Sequence, residues 1–264
     1  MMPSTLFRPS SITACYAFAF CSSIRLIPYP VSMLFCTPMS LGRKPKPFNA
    51  PGWIFELKYD GFRALAVVEC GSCTLFSRNG HAFRSFADLA TEIGNALKPR
   101  SMVLDGEIVC IDDRGHCQFN DLLFRRGEPC FVAFDLLDAG GIDVRREPLL
   151  DRKHELRRII GSSLPPIIYA GHIEGSGVAL FEKCCDLDLE GIVAKYKHAP
   201  YDPEQATWFK IRNRNYSQMV GREELFEQER HREPVPGWHT CTLASAAAKE
   251  TQASEVSAPN YATV

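Results

Sequence analysis

The chain has 264 residues, 45% of them apolar, which is enough to bury at least one sizeable core with a short accessory segment. Its formal net charge of −1 excludes a global cationic field, so any nucleic-acid surface must be local. Eleven cysteines, odd in number and scattered, exclude the dense disulfide framework of a small secreted domain and suit a reducing compartment.

Residues 1–46 differ from the rest. Positions 12–35 are apolar but broken by Ser22, Ser23, Arg25, Pro28 and Pro30, a poor membrane span. Arg8 ahead of the apolar run 12–20 faintly resembles a signal peptide, and the lack of any acid before Glu56 faintly resembles a transit peptide. No cleavage site supports the first, and the arginines are too few for the second. The segment is expected to be a disordered extension, or to precede a true start at Met39.

From Pro47 the pattern changes. Positions 53–58 and 62–69 read as strands, followed by a Gly71-Ser72 turn and a strand to Ser77. Cys70 and Cys73 are spaced like half a zinc site, but no second pair follows, so they are expected to flank a hairpin turn. Ser85 opens a predicted helix, with Asp88 completing a capping box and Phe86, Leu89, Ile93 and Leu97 at helical spacing. Strands follow at 101–111, closed by an Asp113-Arg114-Gly115 turn, and at 130–137. A second helix is predicted over 149–160, stopped by Gly161, then a strand at 166–172 and a helix around 178–185. The last strands fall at 191–196 and 207–213. Strands outnumber helices without alternating with them, which predicts an α+β fold of antiparallel sheets.

Between Gln205 and Arg222 there is again no acid, while Lys210, Arg212, Arg214 and Arg222 are present. Charge alone leaves two readings of this run, a solvated basic edge or a contact to a polyphosphate backbone. Residues 222–264 are charged and then rich in Ala, Ser and Thr, and are expected to be disordered.

The chemistry concentrates around 56–63. Lys58 leaves a strand beside an Asp60-Gly61 turn with Arg63 nearby, and nearby cations or a metal favour the neutral amine a nucleophile needs. A hairpin turn carrying surface charges is the plainer reading of that stretch alone.

The later motifs change the balance. KYDGFR at 58–63, SRNG at 77–80, LDGEIV at 104–109, FVAFDLL at 131–137, LEGIVAK at 189–195 and WFKIR at 208–212 occur in order. Together they resemble the covalent nucleotidyltransferases, and within these the ATP-dependent DNA ligases, especially the bacterial ligase domains of end-joining repair proteins. The resemblance covers about residues 47–215 and implies an adenylation domain over 47–221 with an ATP-grasp-like nucleotidyltransferase fold of antiparallel sheets flanked by helices. It implies that Lys58 carries AMP, that Glu56 helps recognise adenine and that Phe134 stacks on it. It further implies Arg63 near the ribose, Arg78 on the nucleotide sugar or DNA, and Lys195, Lys210 and Arg212 on phosphates. Glu107 and Glu190 are the implied Mg²⁺ carboxylates, with ATP as the nucleotide donor.

The implied partner is nicked or broken double-stranded DNA, with a cytoplasmic, nucleoid-associated place of action. Ligases of this kind follow the core with an OB-fold, which the 43 residues after Gly221 do not resemble. A partner protein supplying that domain is therefore an expectation. Arg212 also stands where lysine is usual, a fork in place of a point charge. The competing readings are an RNA ligase or capping-type nucleotidyltransferase, and a non-catalytic accessory that binds DNA ends.

Overall fold

The computed structural model describes residues 37–219. The strands are β1 (Gly42–Arg43), β2 (Asn49–Leu57), β3 (Phe62–Glu69), β4 (Ser72–Ser77), β5 (Met102–Cys110), β6 (Pro129–Ala139), β7 (Ile142–Asp143), β8 (Ser163–Leu164), β9 (Ile167–Tyr169), β10 (His172–Ser176), β11 (Gly191–Tyr196) and β12 (Trp208–Arg212). The helices are α1 (Ala87–Leu97), α2 (Phe119–Leu123), α3 (Leu149–Ile160) and α4 (Gly177–Asp186). One compact unit ends at Tyr216; the described part of the next is a single 3-10 turn, Ser217–Met219.

Two sheets hold the unit together. The first runs β1-β12-β11-β2-β10, the second β4-β3-β5-β6-β9-β8 with β7 on the end of β6. Only the β1–β12 and β6–β9 pairs are parallel among the described strands. Period-two alternation divides each strand between two cores. On β5, Leu104, Ile108 and Cys110 join the cluster under α1 and α3, while Val103 and Val109 join the cluster facing the other sheet. On β2, Ile54 faces that inter-sheet cluster and Phe55 packs with Cys184 of α4, Ile192 and Ala194. The inter-sheet layer is where the candidate site lies.

Several expectations need correcting. Met39 is buried in the inter-sheet core and donates its backbone N–H to the Tyr201 hydroxyl at 3.0 Å, and β1 pairs with β12, so the fold begins before residue 47. The expected capping box does not form: Arg84–Phe86 make a 3-10 turn, and α1 starts with Phe86 at its N-cap and no side-chain cap bond. The single strand expected at 166–172 divides at Ala170-Gly171 into β9 and β10, which belong to different sheets. The hairpin at Cys70-Gly71 is present, both residues having positive φ. Among the described residues no cluster of three or more His, Cys, Asp or Glu is arranged to hold a metal, and no helix is long and apolar enough to cross a membrane. The expectations for residues 1–36 and 222–264 lie outside the described residues.

Candidate active site

The first sheet builds its half of the site from three successive rungs. Ile54, Lys195 and Trp208 lie abreast on β2, β11 and β12; next come Glu56, Val193 and Lys210; then Gly191 and Arg212, with the Lys58 N–H bonded to the Gly191 carbonyl at 2.9 Å. Period two puts Ile54, Glu56 and Lys58 on one face, and the same rule selects Val193 and Lys195, then Trp208, Lys210 and Arg212. Exposure rises along the rungs, from 2% at Lys195 and 1% at Trp208 to 16% for the Lys58 side chain and 47% for that of Arg212. The inner end is thus aromatic and buried, the mouth cationic and wet.

The second sheet supplies the opposing wall. Arg63 on β3 pairs in register with Glu107 on β5. Its guanidinium forks onto both oxygens of Asp105 at 2.6 Å, and the Tyr201 hydroxyl donates to the same carboxylate at 2.7 Å. Asp105 pairs with Asp135 and Gly106 with Ala133, which leaves Phe134 as an extra residue in β6. This bulge re-aims the ring into the cleft, where it lies 4.5 Å from the Arg63 guanidinium and 4.3 Å from the Lys195 ammonium. The cleft encloses about 380 Å³ including its mouth, and Glu56, Lys58, Tyr59, Arg63, Glu107 and Phe134 are among its lining residues.

Two glycines close the frame. A Cβ on Gly61 would stand 2.0 Å from the Ile108 carbonyl oxygen, so the loop after Lys58 presses directly on β5. Gly191 has φ +141°, and a Cβ there would stand 2.2 Å from the Ile211 carbonyl oxygen. The loops themselves are tied down. Tyr216 donates to Asp60 at 2.9 Å, and Asn213 bonds the backbone carbonyls of both Glu190 and Leu189.

Charge within the cleft is unevenly matched. Lys58 Nζ donates to Glu190 Oε2 at 2.6 Å, and Arg212 Nε lies 3.9 Å from Glu190 Oε1. Desolvation nevertheless raises the Glu190 carboxyl, with Lys58 pulling the other way. Glu107 is pushed up to about 7, chiefly by desolvation; attraction to Arg63 and Lys58 is opposed by Glu190 and Asp105. At the inner end, Glu56 touches Lys153 at 2.5 Å and Lys195 at 2.6 Å. Burial would raise the Glu56 carboxyl, but these two ammonium groups hold it below the ordinary value. Lys195 is lowered to about 8, mainly by burial, against the attraction of Glu56. At the mouth, partial desolvation and the charges of Arg212, Arg43, Lys58 and Arg78 lower Lys210.

The structure brings Glu56, Lys58, Arg63, Glu107, Phe134 and Lys195 into the lining of one cleft, sets Glu190 on Lys58 and Lys210 and Arg212 on the adjoining rungs, and regroups several of them. Lys195, expected beside Lys210 and Arg212, lies on the innermost rung, with Nζ 3.8 Å from the Trp208 ring centroid and paired to Glu56. Arg63, expected to disfavour the protonated form of Lys58, is instead neutralised by Asp105, and Lys58 pairs with Glu190. Arg78 is exposed on the Ser77–Gly80 turn, outside the cleft lining but within the cationic group around Lys210. Sequence reasoning missed Lys153, Asp105, Tyr201 and Trp208. A signal for the first was present: Leu149, Arg152, Lys153, Leu156 and Ile160 form the buried face of α3, and a charge at a core-facing helical position requires a buried partner.

Known proteins share this architecture. The bifunctional non-homologous end joining protein LigD of Bacillus subtilis is 32% identical over 191 residues, 61% of this chain and 31% of LigD. The SPbeta prophage-derived DNA ligase-like protein LigB of the same species is 27% identical over 195 residues, 71% of this chain and 71% of LigB. Among solved structures, mycobacterial DNA ligase D complexed with ATP and MES matches with a TM-score of 0.61 and 27% identity, covering 67% of this chain and 60% of that one. The chain thus spans less than a third of LigD, and the remainder of that protein has no counterpart in the match. The family profile described as the ATP dependent DNA ligase domain matches residues 39–212, from the buried Met39 to the last residue of β12. The α+β unit built around Lys58 is a nucleotidyltransferase fold, and the chain belongs to the ATP-dependent DNA ligase domain family.

Proposed function

We propose that the chain transfers AMP from ATP to Lys58 and from there to the 5′-phosphate of a DNA strand, preparing it for joining to a 3′-hydroxyl. The observation that carries this reading is the polarity of the cleft. Its inner end is lined by Phe134, Trp208 and the acceptor Glu56, while Lys58, Lys210, Arg212, Arg43 and Arg78 gather at its mouth. A nucleotide fits such a gradient with its base inside and its phosphates outside.

Each residue then has a place. Phe134 packs on the base and Glu56, with Lys195, reads its edge; Arg63, fixed by Asp105, faces the ribose. Lys210 and Arg212 draw negative charge off the pyrophosphate as it departs, and Arg78 extends the same cationic surface towards sugar or DNA. In the first step the Lys58 Nζ–P bond forms and the P–O bond to pyrophosphate breaks. Before attack Lys58 must give up a proton to solvent, and a cation replacing it on Glu190, now 2.6 Å from Nζ, would favour that loss. Glu107 and Glu190 are neighbouring carboxylates, the second raising the pKa of the first, and would be the hard oxygen donors that hold Mg²⁺. Bound there, Mg²⁺ would offset charge on the α-phosphate oxygens and disfavour the ammonium form of Lys58.

The test is incubation with Mg²⁺, a duplex bearing one 5′-phosphorylated nick, and either ATP or GTP. The expected products are a 5′-adenylylated strand and then a sealed one, with ATP only. Labelling by GTP alone would favour a capping-type enzyme. Salt-sensitive nick binding without nucleotide transfer would favour the end-binding accessory.

A further inference from the structure

Behind the innermost rungs stands a lysine that none of the motifs contains. We infer that Lys153 is a positioning residue: it fixes Glu56 as an acceptor-only edge at the base end of the cleft and so selects adenine over guanine. This rests on the nucleotide reading above.

Lys153 has no solvent exposure. An ammonium so placed is costly unless each of its protons is directed to a partner. Lys153 Nζ lies 2.5 Å from Glu56 Oε1, 2.9 Å from the Ala170 carbonyl oxygen and 3.4 Å from that of Phe134, with the Tyr169 ring 4.7 Å away. It therefore ties β2 to the bulge of β6 and to the residue after β9. The two groups it joins, Glu56 and the Phe134 backbone, belong to the residues that line the base end of the cleft. Its neighbour Arg152 differs: it forks onto buried Asp135 and bonds the backbone of Glu147 and Ala199, none of which lines the cleft.

The geometry at Glu56 gives the selectivity. An ionised carboxylate offers about four acceptor positions and no donor. Lys153 approaches Oε1 and Lys195 approaches Oε2, one cation per oxygen, so lone-pair positions of the carboxylate are left over. The C6 amine of adenine can donate to that free capacity; the C6 carbonyl of guanine would set lone pair against lone pair. Ionisation is secured locally. His172 sits opposite Glu56 in the β10–β2 register, but desolvation and Lys153 hold its pKa down, leaving the two lysines as the cations that face the carboxylate. Without Lys153, only Lys195 would hold Glu56, and Lys195 itself lines the cleft.

The experiment is equilibrium binding of AMP and of GMP to the full chain, which requires no chemistry, with thermal unfolding run alongside. The wild type is expected to prefer AMP by at least about tenfold, as a hydrogen-bonding edge does. Lys153→Met should weaken AMP about tenfold and erase most of the preference. The decisive comparison is in a Glu56→Gln background, where an amide can present either donor or acceptor. Adding Lys153→Met restores the wild-type net charge of this cluster. If Lys153 acts through Glu56, it should change neither affinity further. A folded Lys153→Met chain with wild-type affinity and preference would overturn the inference. So would a further tenfold loss of AMP affinity in the Glu56→Gln background, which marks a merely structural role. A wild-type chain that binds neither nucleotide would overturn the nucleotide reading itself, and this inference with it.

Discussion

Gly61 occupies a place where no side chain fits, and that explains the glycine of the KYDGFR stretch better than a turn does. Its φ is not in the positive range, yet a Cβ would meet the Ile108 carbonyl oxygen at 2.0 Å and Val109 Cγ1 at 2.8 Å. Gly61→Ala should therefore displace the Lys58 loop from β5, lowering stability by about 1–3 kcal/mol as overpacking does. Urea denaturation would measure the loss, and AMP loading of Lys58 should fall by more than the folded fraction. Arg63 makes a second residue-scale case. Its fork satisfies both Asp105 oxygens, whereas an ammonium would serve them as a point charge. Arg63→Lys should cost about 1–3 kcal/mol by leaving a buried acceptor unsatisfied. Nucleotide affinity should drop as well, measured by titration of the folded variant.

At the scale of elements, α3 is anchored by charge where a helix normally relies on apolar packing. Arg152 and Asp135 are both fully buried and doubly bonded. Removing one partner strands the other, so Arg152→Ala should destabilise the unit by about 3–5 kcal/mol. Calorimetric unfolding checks this, and the fraction that remains folded should still load AMP, since Arg152 does not line the cleft. The α3 span itself was legible, because Leu149, Leu156 and Ile160 keep helical period and Gly161, at φ +64°, stops it. The partners of Arg152 and Lys153 were not, because they lie on other elements and sequence spacing does not show which distant side chains meet. The same division runs through the rest of the site. The motif order singled out Glu56, Lys58 and Glu107, but Asp105, two positions before Glu107 and on the same side of β5, carried no signal of its pairing to Arg63. Depth along the cleft was hidden, since it depends on strand register: Lys195 and Lys210 share a face, but they stand one rung apart. The Phe134 bulge was hidden too, because nothing in FVAFDLL marks which residue the ladder leaves out. The division of 166–172 between two sheets lay in tertiary pairing that the apolar run does not encode.

For the molecule as a whole, the layered unit depends on residues just ahead of the first motif. Met39 fills the inter-sheet core, Leu41 lines the cleft, and β1 covers the outer edge of β12. A chain that begins at Pro47 should be less stable than one that begins at Met39 by at least about 3 kcal/mol, from the lost Met39 burial and the edge strand. Thermal unfolding of the two would show it. Gradients of burial and charge run along the same inter-sheet layer, so the core and the site are two ends of one packing surface. That is why the residues proposed to touch a base are the most buried, and those proposed to touch phosphate are the most exposed. The central claim is that this layer presents Lys58 as the nucleophile. The direct measurement is intact-mass and peptide-mapping mass spectrometry after incubation with ATP and Mg²⁺, beside a Lys58→Ala chain. A gain of one AMP located on Lys58 and absent from the Lys58→Ala chain is the predicted result; no adduct after prolonged incubation, or one on a different residue, would contradict it.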